Sequence, residues 1–162
     1  MKYIETKRCR NIRRVLIAMF VVCGYMLSTT FAYAEINEEW VSMTALNLAF
    51  GSMGADHPVY KNTFFGLMYI VIPLIGFFFM FFDHKSNLKN LVGIVCGIVG
   101  CAALALPLGA SEALYIGIGA VVSMVLYIVI TTLSAISIFM KIEDDHKKEA
   151  ETADSGKRLP NH

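Results

Sequence analysis

A carboxylate stands beside an imidazole at three places in this chain: Asp56-His57, Asp83-His84 and Asp144-Asp145-His146. Oxygen and nitrogen donors of this kind are the ligands of zinc and other divalent metals. Asp83, His84, Asp145 and His146 border two different apolar runs, and would converge if those runs pack as neighbours. The plainer reading is polar residues at a membrane–water boundary, with their heads turned to water, and on it neither a metal nor any other cofactor is expected. A second set is made of hydroxyls. Ser123, Tyr127, Thr131 and Ser134 recur at helical spacing. Such a stripe can bond helix to helix, at about 0.6 kcal/mol per hydrogen bond, or line a narrow pore for a small uncharged solute. Helical Ser and Thr can also bond back to their own preceding turn.

Neither set amounts to catalytic machinery. A Ser or Cys is activated as a nucleophile only by a neighbouring base, and the apolar runs 15–34, 64–82, 91–108 and 113–140 contain no Asp, Glu, His, Lys or Arg. An ion-coupled transporter ordinarily keeps an ionisable group in its path. The sequence therefore predicts a non-enzymatic protein.

The elements that carry these residues are set by hydropathy and charge. Hydrophobic residues make up 56% of the chain and charged residues 17%, against about 25% charge in soluble domains. The net charge of +1 offers no long-range field for nucleic acid. The fold class expected is all-α: a polytopic helical integral membrane protein with three spans after a cleavable signal peptide, or four if that segment is retained. The 14 basic residues divide as six in 1–14, one in 35–63, two in 83–90, none in 109–112 and five in 141–162. Alternating cation-rich and cation-poor segments are the positive-inside pattern. It places 1–14, 83–90 and 141–162 in the cytoplasm and 35–63 outside a cell (inner) membrane.

Residues 1–34 have the order of a secretory signal: a basic stretch ending at Arg14, an apolar core from Val15 to Leu27, then Ala32-x-Ala34 as a cleavage site. The alternative is a retained first span over 15–34. Segment 35–63 follows, and its Trp40–Phe50 stretch suits the headgroup layer. There Trp40, Met43, Asn47 and Phe50 share a helical face, while Val41, Met43 and Ala45 alternate as in a strand; neither period wins. Residues 64–140 form the helical membrane domain, with spans at about 64–82, 91–108 and 113–140. Pro73 lies near the middle of the first of these spans, and a kink is expected there. The crowded Phe77, Phe78, Phe79, Phe81 and Phe82 read as lipid-facing bulk. Ser111 is a candidate N-cap for the last span, with Glu112 favourable to its dipole. Residues 141–162 read as a solvated tail.

Helices in lipid associate through close contact between small residues. Gly93, Gly97, Cys101 and Ala105 recur every four residues and predict one packing groove. Gly119-x-x-x-Ser123 opens a second. Cys96 and Cys101 are about 140° apart around a helix, so they do not form a pair on one face. The partners expected are the lipid bilayer and other membrane subunits or copies of this chain. The reading these features support best is an accessory, assembly or regulatory subunit of a membrane complex. The alternatives are a homo-oligomeric channel or transporter component, or a secretion-system subunit that resembles conjugative pilins in layout alone: signal, outward segment, spans joined by a short basic inward loop.

Overall fold

In the computed structural model, residues 7–36, 38–50, 63–83, 87–110 and 114–157 are described. Helix α1 spans Lys7–Met26, strands β1 and β2 span Thr30–Ile36 and Glu39–Thr44, and the short α2 spans Ala45–Phe50. Helices α3 (Thr63–Phe82) and α4 (Leu88–Ala110) precede strand β3 (Leu114–Ile116) and the long helix α5 (Ile118–Lys157). The protein is mostly helical, and two of its helices are long and apolar enough to cross a membrane, over Leu88–Leu106 and Ile118–Glu143. The apolar stretch Gly66–Phe82 of α3 is shorter.

The all-α expectation needs one correction, because the chain also contains a three-stranded antiparallel sheet in the order β2-β1-β3. Its central strand is cut from the segment that reads as the end of a signal peptide. In Thr30–Ile36 the small Ala32 and Ala34 are fully buried while Tyr33 and Glu35 point outward, a period of two that suits a half-buried strand. The register irregularity between Thr30 and Ala32 lets Phe31 also turn inward, onto Tyr69 of α3 with ring centroids 5.2 Å apart. The ambiguity over 40–50 resolves as a strand followed by a helix. Val41 and Met43 face in, Trp40 and Ser42 face out, and at Thr44 the side-chain oxygen accepts the Asn47 N–H at 3.1 Å, an N-cap that opens α2. Glu38 closes the β1–β2 hairpin with φ of 67°.

A single helix over 15–34 does not form. α1 stops at Met26 because Ser28 and Thr29 follow. Their hydroxyls donate to the carbonyls of Tyr25 and Met26 at 2.8 and 2.7 Å, two of the acceptors that a helix end leaves without a partner. The last span also starts later than expected. Leu114–Ile116 pair with β1, and α5 begins at Ile118, beyond the proposed Ser111 cap; residues 111–113 lie outside the described residues. From Ile118 to Met140 the helix is about 34 Å long, a close match to a hydrocarbon core of about 30 Å. It then continues to Lys157, where a solvated tail was expected. Alternating Glu, Lys and Ala favour the helix, and Lys147 pairs with Glu143 at 2.6 Å across one turn. At the other end of the bundle, α4 takes Lys89 and Asn90 into its first turn, and both are buried. The Asp83 carboxylate accepts the Lys89 N–H at 3.1 Å and complements the positive end of the helix dipole.

The core runs through the bundle and up under the sheet. Leu16, Phe20 and Cys23 of α1, Met80 of α3, Leu104 of α4 and Ile130 of α5 are all at most 1% exposed. Outward faces are also apolar: Leu74, Ile98, Val125, Ile128 and Phe139 are each more than half exposed.

Candidate functional site

Gly93, Gly97, Cys101, Tyr127, Thr131 and Ser134, all singled out by their spacing, gather in one seam between α4 and α5. A methyl group built on Gly93 would run into the Ser134 hydroxyl and the Met80 side chain. One built on Gly97 would meet the Thr131 hydroxyl and, at 2.8 Å, the backbone oxygen of Tyr127. One built on Gly100 would stand 2.8 Å from the Tyr127 ring. The glycines of α4 are thus the recess into which the hydroxyl stripe of α5 fits, and both sides of the seam belong to one chain. Cys101 adds a long contact from its thiol to the Met124 carbonyl, at 3.8 Å.

Ala105 departs from this groove and is exposed, while Gly100, Ala103 and Leu104 are buried. A strict spacing of four advances about 40° per step around a helix of 3.6 residues per turn. Three steps beyond Gly93 carry Ala105 off the face, and the contact follows Gly93, Gly97, Gly100 and Leu104 instead. Gly119 faces a different partner. It lies under the turn between α1 and β1, where a methyl group built on it would run into the Thr29 hydroxyl and stand 3.0 Å from the Thr30 carbonyl. Its neighbour Gly117 donates its N–H to the Phe31 carbonyl at 2.9 Å.

The hydroxyls themselves are inward. Ser123 is 2% exposed and Ser134 fully buried, and neither oxygen has a hydrogen-bond partner. Thr131 bonds back to the Tyr127 carbonyl at 2.9 Å, so its polarity is satisfied inside its own helix. Tyr127 is 4% exposed. The hydroxyl that does join two helices is one the spacing argument passed over: Tyr69 of α3 donates to the Ala103 carbonyl of α4 at 2.9 Å, buried. No sequence period marks it, since its partner is a backbone atom 34 residues away.

Pro73 lies buried within α3, which continues through it to Phe82. Its ring deprives the Tyr69 carbonyl of its usual donor. Beyond it, Phe78, Phe81 and Phe82 are exposed and pack on one another, with ring centroids 4.4 to 5.2 Å apart for Phe78–Phe82 and Phe81–Phe82.

The carboxylate–imidazole constellation is only partly visible. His84 and the Asp56-His57 pair lie outside the described residues, as does the side chain of Asp145. Asp83 is engaged at the start of α4, and His146 lies on an exposed face of α5. Among the described residues no three metal-ligating side chains come together.

At the opposite end, the outer face of the sheet carries an aromatic patch that spacing did not single out. Trp40 meets Tyr115 edge to face at 4.9 Å, and Tyr33 pairs with Tyr115 across β1 and β3. All three rings are exposed. The patch draws on strands from both ends of the sequence, so a local window cannot find it.

These features define a mostly helical protein with two potential membrane-crossing helices, a small-residue helix seam and a sheet cap. No family model, no curated protein and no solved structure matches this chain.

Proposed function

We propose that this is a small non-enzymatic integral membrane protein that serves as an accessory, assembly or regulatory subunit of a membrane complex in a cell (inner) membrane. The observation that carries the reading is the closed seam. The Thr131 and Ser134 hydroxyls and the Tyr127 ring pack against the glycines of α4, Thr131 also bonds back into its own helix, and Ser123 is buried. A pore lined by them would require α4 and α5 to part. What stays exposed is surface for partners, apolar helix faces and the Trp40–Tyr115 patch, and α5 runs on for about 25 Å beyond Met140 to Lys157.

In this reading the sheet lies outside and the Asp83–Asn87 loop lies in the cytoplasm, together with the start of α1 and the end of α5. Charge distribution supports it through the positive-inside rule. We further propose that residues 1–34 are retained rather than cleaved. Ala32 and Ala34 sit in the central strand with no exposed surface, and cleavage after Ala34 would leave β2 and β3 without the strand that joins them. α1 then enters the bilayer from the cytoplasmic side, followed by α3, α4 and α5.

Affinity purification in mild detergent, with the tag after His162, tests the function: a stoichiometric membrane partner is expected. Solute flux through liposomes that contain this chain alone would overturn the subunit reading in favour of the channel. Recovery in sheared extracellular filaments would favour the pilin-like one. Orientation is tested by single cysteines at Ser42 and Lys147. The first should react with an impermeant maleimide on intact cells, and the second only after permeabilisation.

A further inference from the structure

Between α1 and α3 lies an apolar groove of about 340 Å³. Phe20, Val21, Gly24 and Leu27 form one wall and Pro73 and Leu74 part of the other. It opens sideways between exposed flanks, for Val21 is 55% and Leu74 60% exposed. Gly24 leaves part of the wall missing: a methyl group built on it meets nothing within 4 Å. The side chains that line the groove are apolar, so its occupant is held by shape and apolar contact.

Charge on the same helix specifies the rest of that occupant. At 100° per residue, Arg10 and Arg14 fall within about 40° of Val21 around α1. Both arginines are exposed. Arg8 projects about 120° away from Arg14. With Arg14 at the edge of the hydrocarbon, Val21 lies about 10 Å and Gly24 about 15 Å deeper. Half of a bilayer core is about 15 Å, so the groove lies at the depth reached by the distal part of an acyl chain from the cytoplasmic leaflet.

The geometry points to a binding site for an anionic phospholipid of that leaflet, its phosphate between Arg10 and Arg14 and one acyl chain in the α1–α3 groove. Guanidinium forks suit phosphate oxygens, and basic residues beside the membrane draw anionic lipid to the surface. This site rests on the membrane reading and on retention of α1.

The test is lipid analysis of the full chain purified from membranes in mild detergent, with mass spectrometry of the extracted lipid. Anionic phospholipid is expected at a near-stoichiometric level and enriched over its share of the bulk membrane. The double variant Arg10→Gln/Arg14→Gln should lower its retention roughly ten-fold. Gly24→Phe, which fills open space, should abolish retention without lowering the thermal midpoint. A photoactivatable anionic lipid with the reactive group near the chain end should label peptides of α1 and α3. Wild-type levels of lipid in either variant, or bound lipid that mirrors the bulk membrane, would overturn the site. A chain that leaves the membrane in carbonate without detergent would instead sink the membrane reading itself. One that resists carbonate but begins at Glu35 would sink retention, whereas one that resists carbonate, keeps its N-terminus and carries no lipid sinks the lipid site alone.

Discussion

Phe20 of α1 presses the end of its ring against Gly76 of α3, so close that a methyl group there would stand 2.8 Å from its Cδ1 and nearer still to the far edge of the ring. Phe20 is 1% exposed, so the ring has little room to retreat. Gly76→Val should therefore lower stability by about 1–3 kcal/mol, the usual cost of overfilling a packed core. Phe20→Ala in the same chain should restore part of that loss. Thermal melts of the four proteins in detergent form the double-mutant cycle. A cycle without coupling would mean that α1 is not seated on α3 in the mature protein.

N-terminal sequencing of protein purified from membranes addresses the same point chemically. The expected result is a chain that begins ahead of Lys7. A chain that begins at Glu35 would establish cleavage after Ala34, and with it the loss of β1.

The α4–α5 seam predicts opposite outcomes at two small residues of one helix. Gly97→Ala places a methyl group against the Tyr127 carbonyl, a backbone atom that cannot swing away, and should cost about 1–3 kcal/mol. Ala105→Leu falls on an exposed face and should stay within about 0.5 kcal/mol of the parent. Denaturant or thermal unfolding in micelles separates the two, and equal losses would contradict the seam.

Buried hydroxyls also divide. The Ser134 oxygen is fully enclosed with no hydrogen-bond partner, and an unpaired buried polar group is itself costly. Ser134→Ala should be neutral or stabilising by up to about 1 kcal/mol. Tyr69→Phe removes the bond to the Ala103 carbonyl and should cost about 1 kcal/mol. The contrast is read from the same melts, and destabilisation by Ser134→Ala would mean that the hydroxyl has a partner in the membrane.

At the hairpin, Glu38 holds a left-handed backbone with φ of 67°, a conformation that two-residue turns between strands demand and that glycine or asparagine supplies more readily. Glu38→Gly should raise stability by about 0.5–1 kcal/mol, visible as a higher thermal midpoint. A drop would show that the Glu38 side chain is doing something more than occupying the turn.

Much of the helical framework could be read from hydropathy. The uncharged runs 64–82 and 91–108 coincide with α3 and α4 to within three residues at each end, because a helix in an apolar setting advertises itself through the exclusion of charge. The recess at Gly93 and Gly97 follows from residue size alone. The sheet was hidden for a different reason. Thr30–Ile36 alternates over only seven residues, two of its inward side chains are alanines with little hydrophobic signal, and those same small residues satisfy a cleavage-site pattern. β3, with three residues, is shorter than any window that measures periodicity. The position of Ala105 needed the true pitch of the helix rather than a count of four, and the Tyr69–Ala103 bond needed the third dimension.

The pairing of β1 with β3 has a consequence for assembly. Ala32 and Ile116 are partners, although they lie 84 positions apart, and α3 and α4 are both made between them. During synthesis the β1–β2 hairpin therefore keeps one edge of β1 open. It closes when the start of the last helix arrives, and Gly117 bonds to Phe31 as it does so. The small sheet is thus a clasp that can lock only once α3 and α4 have been made.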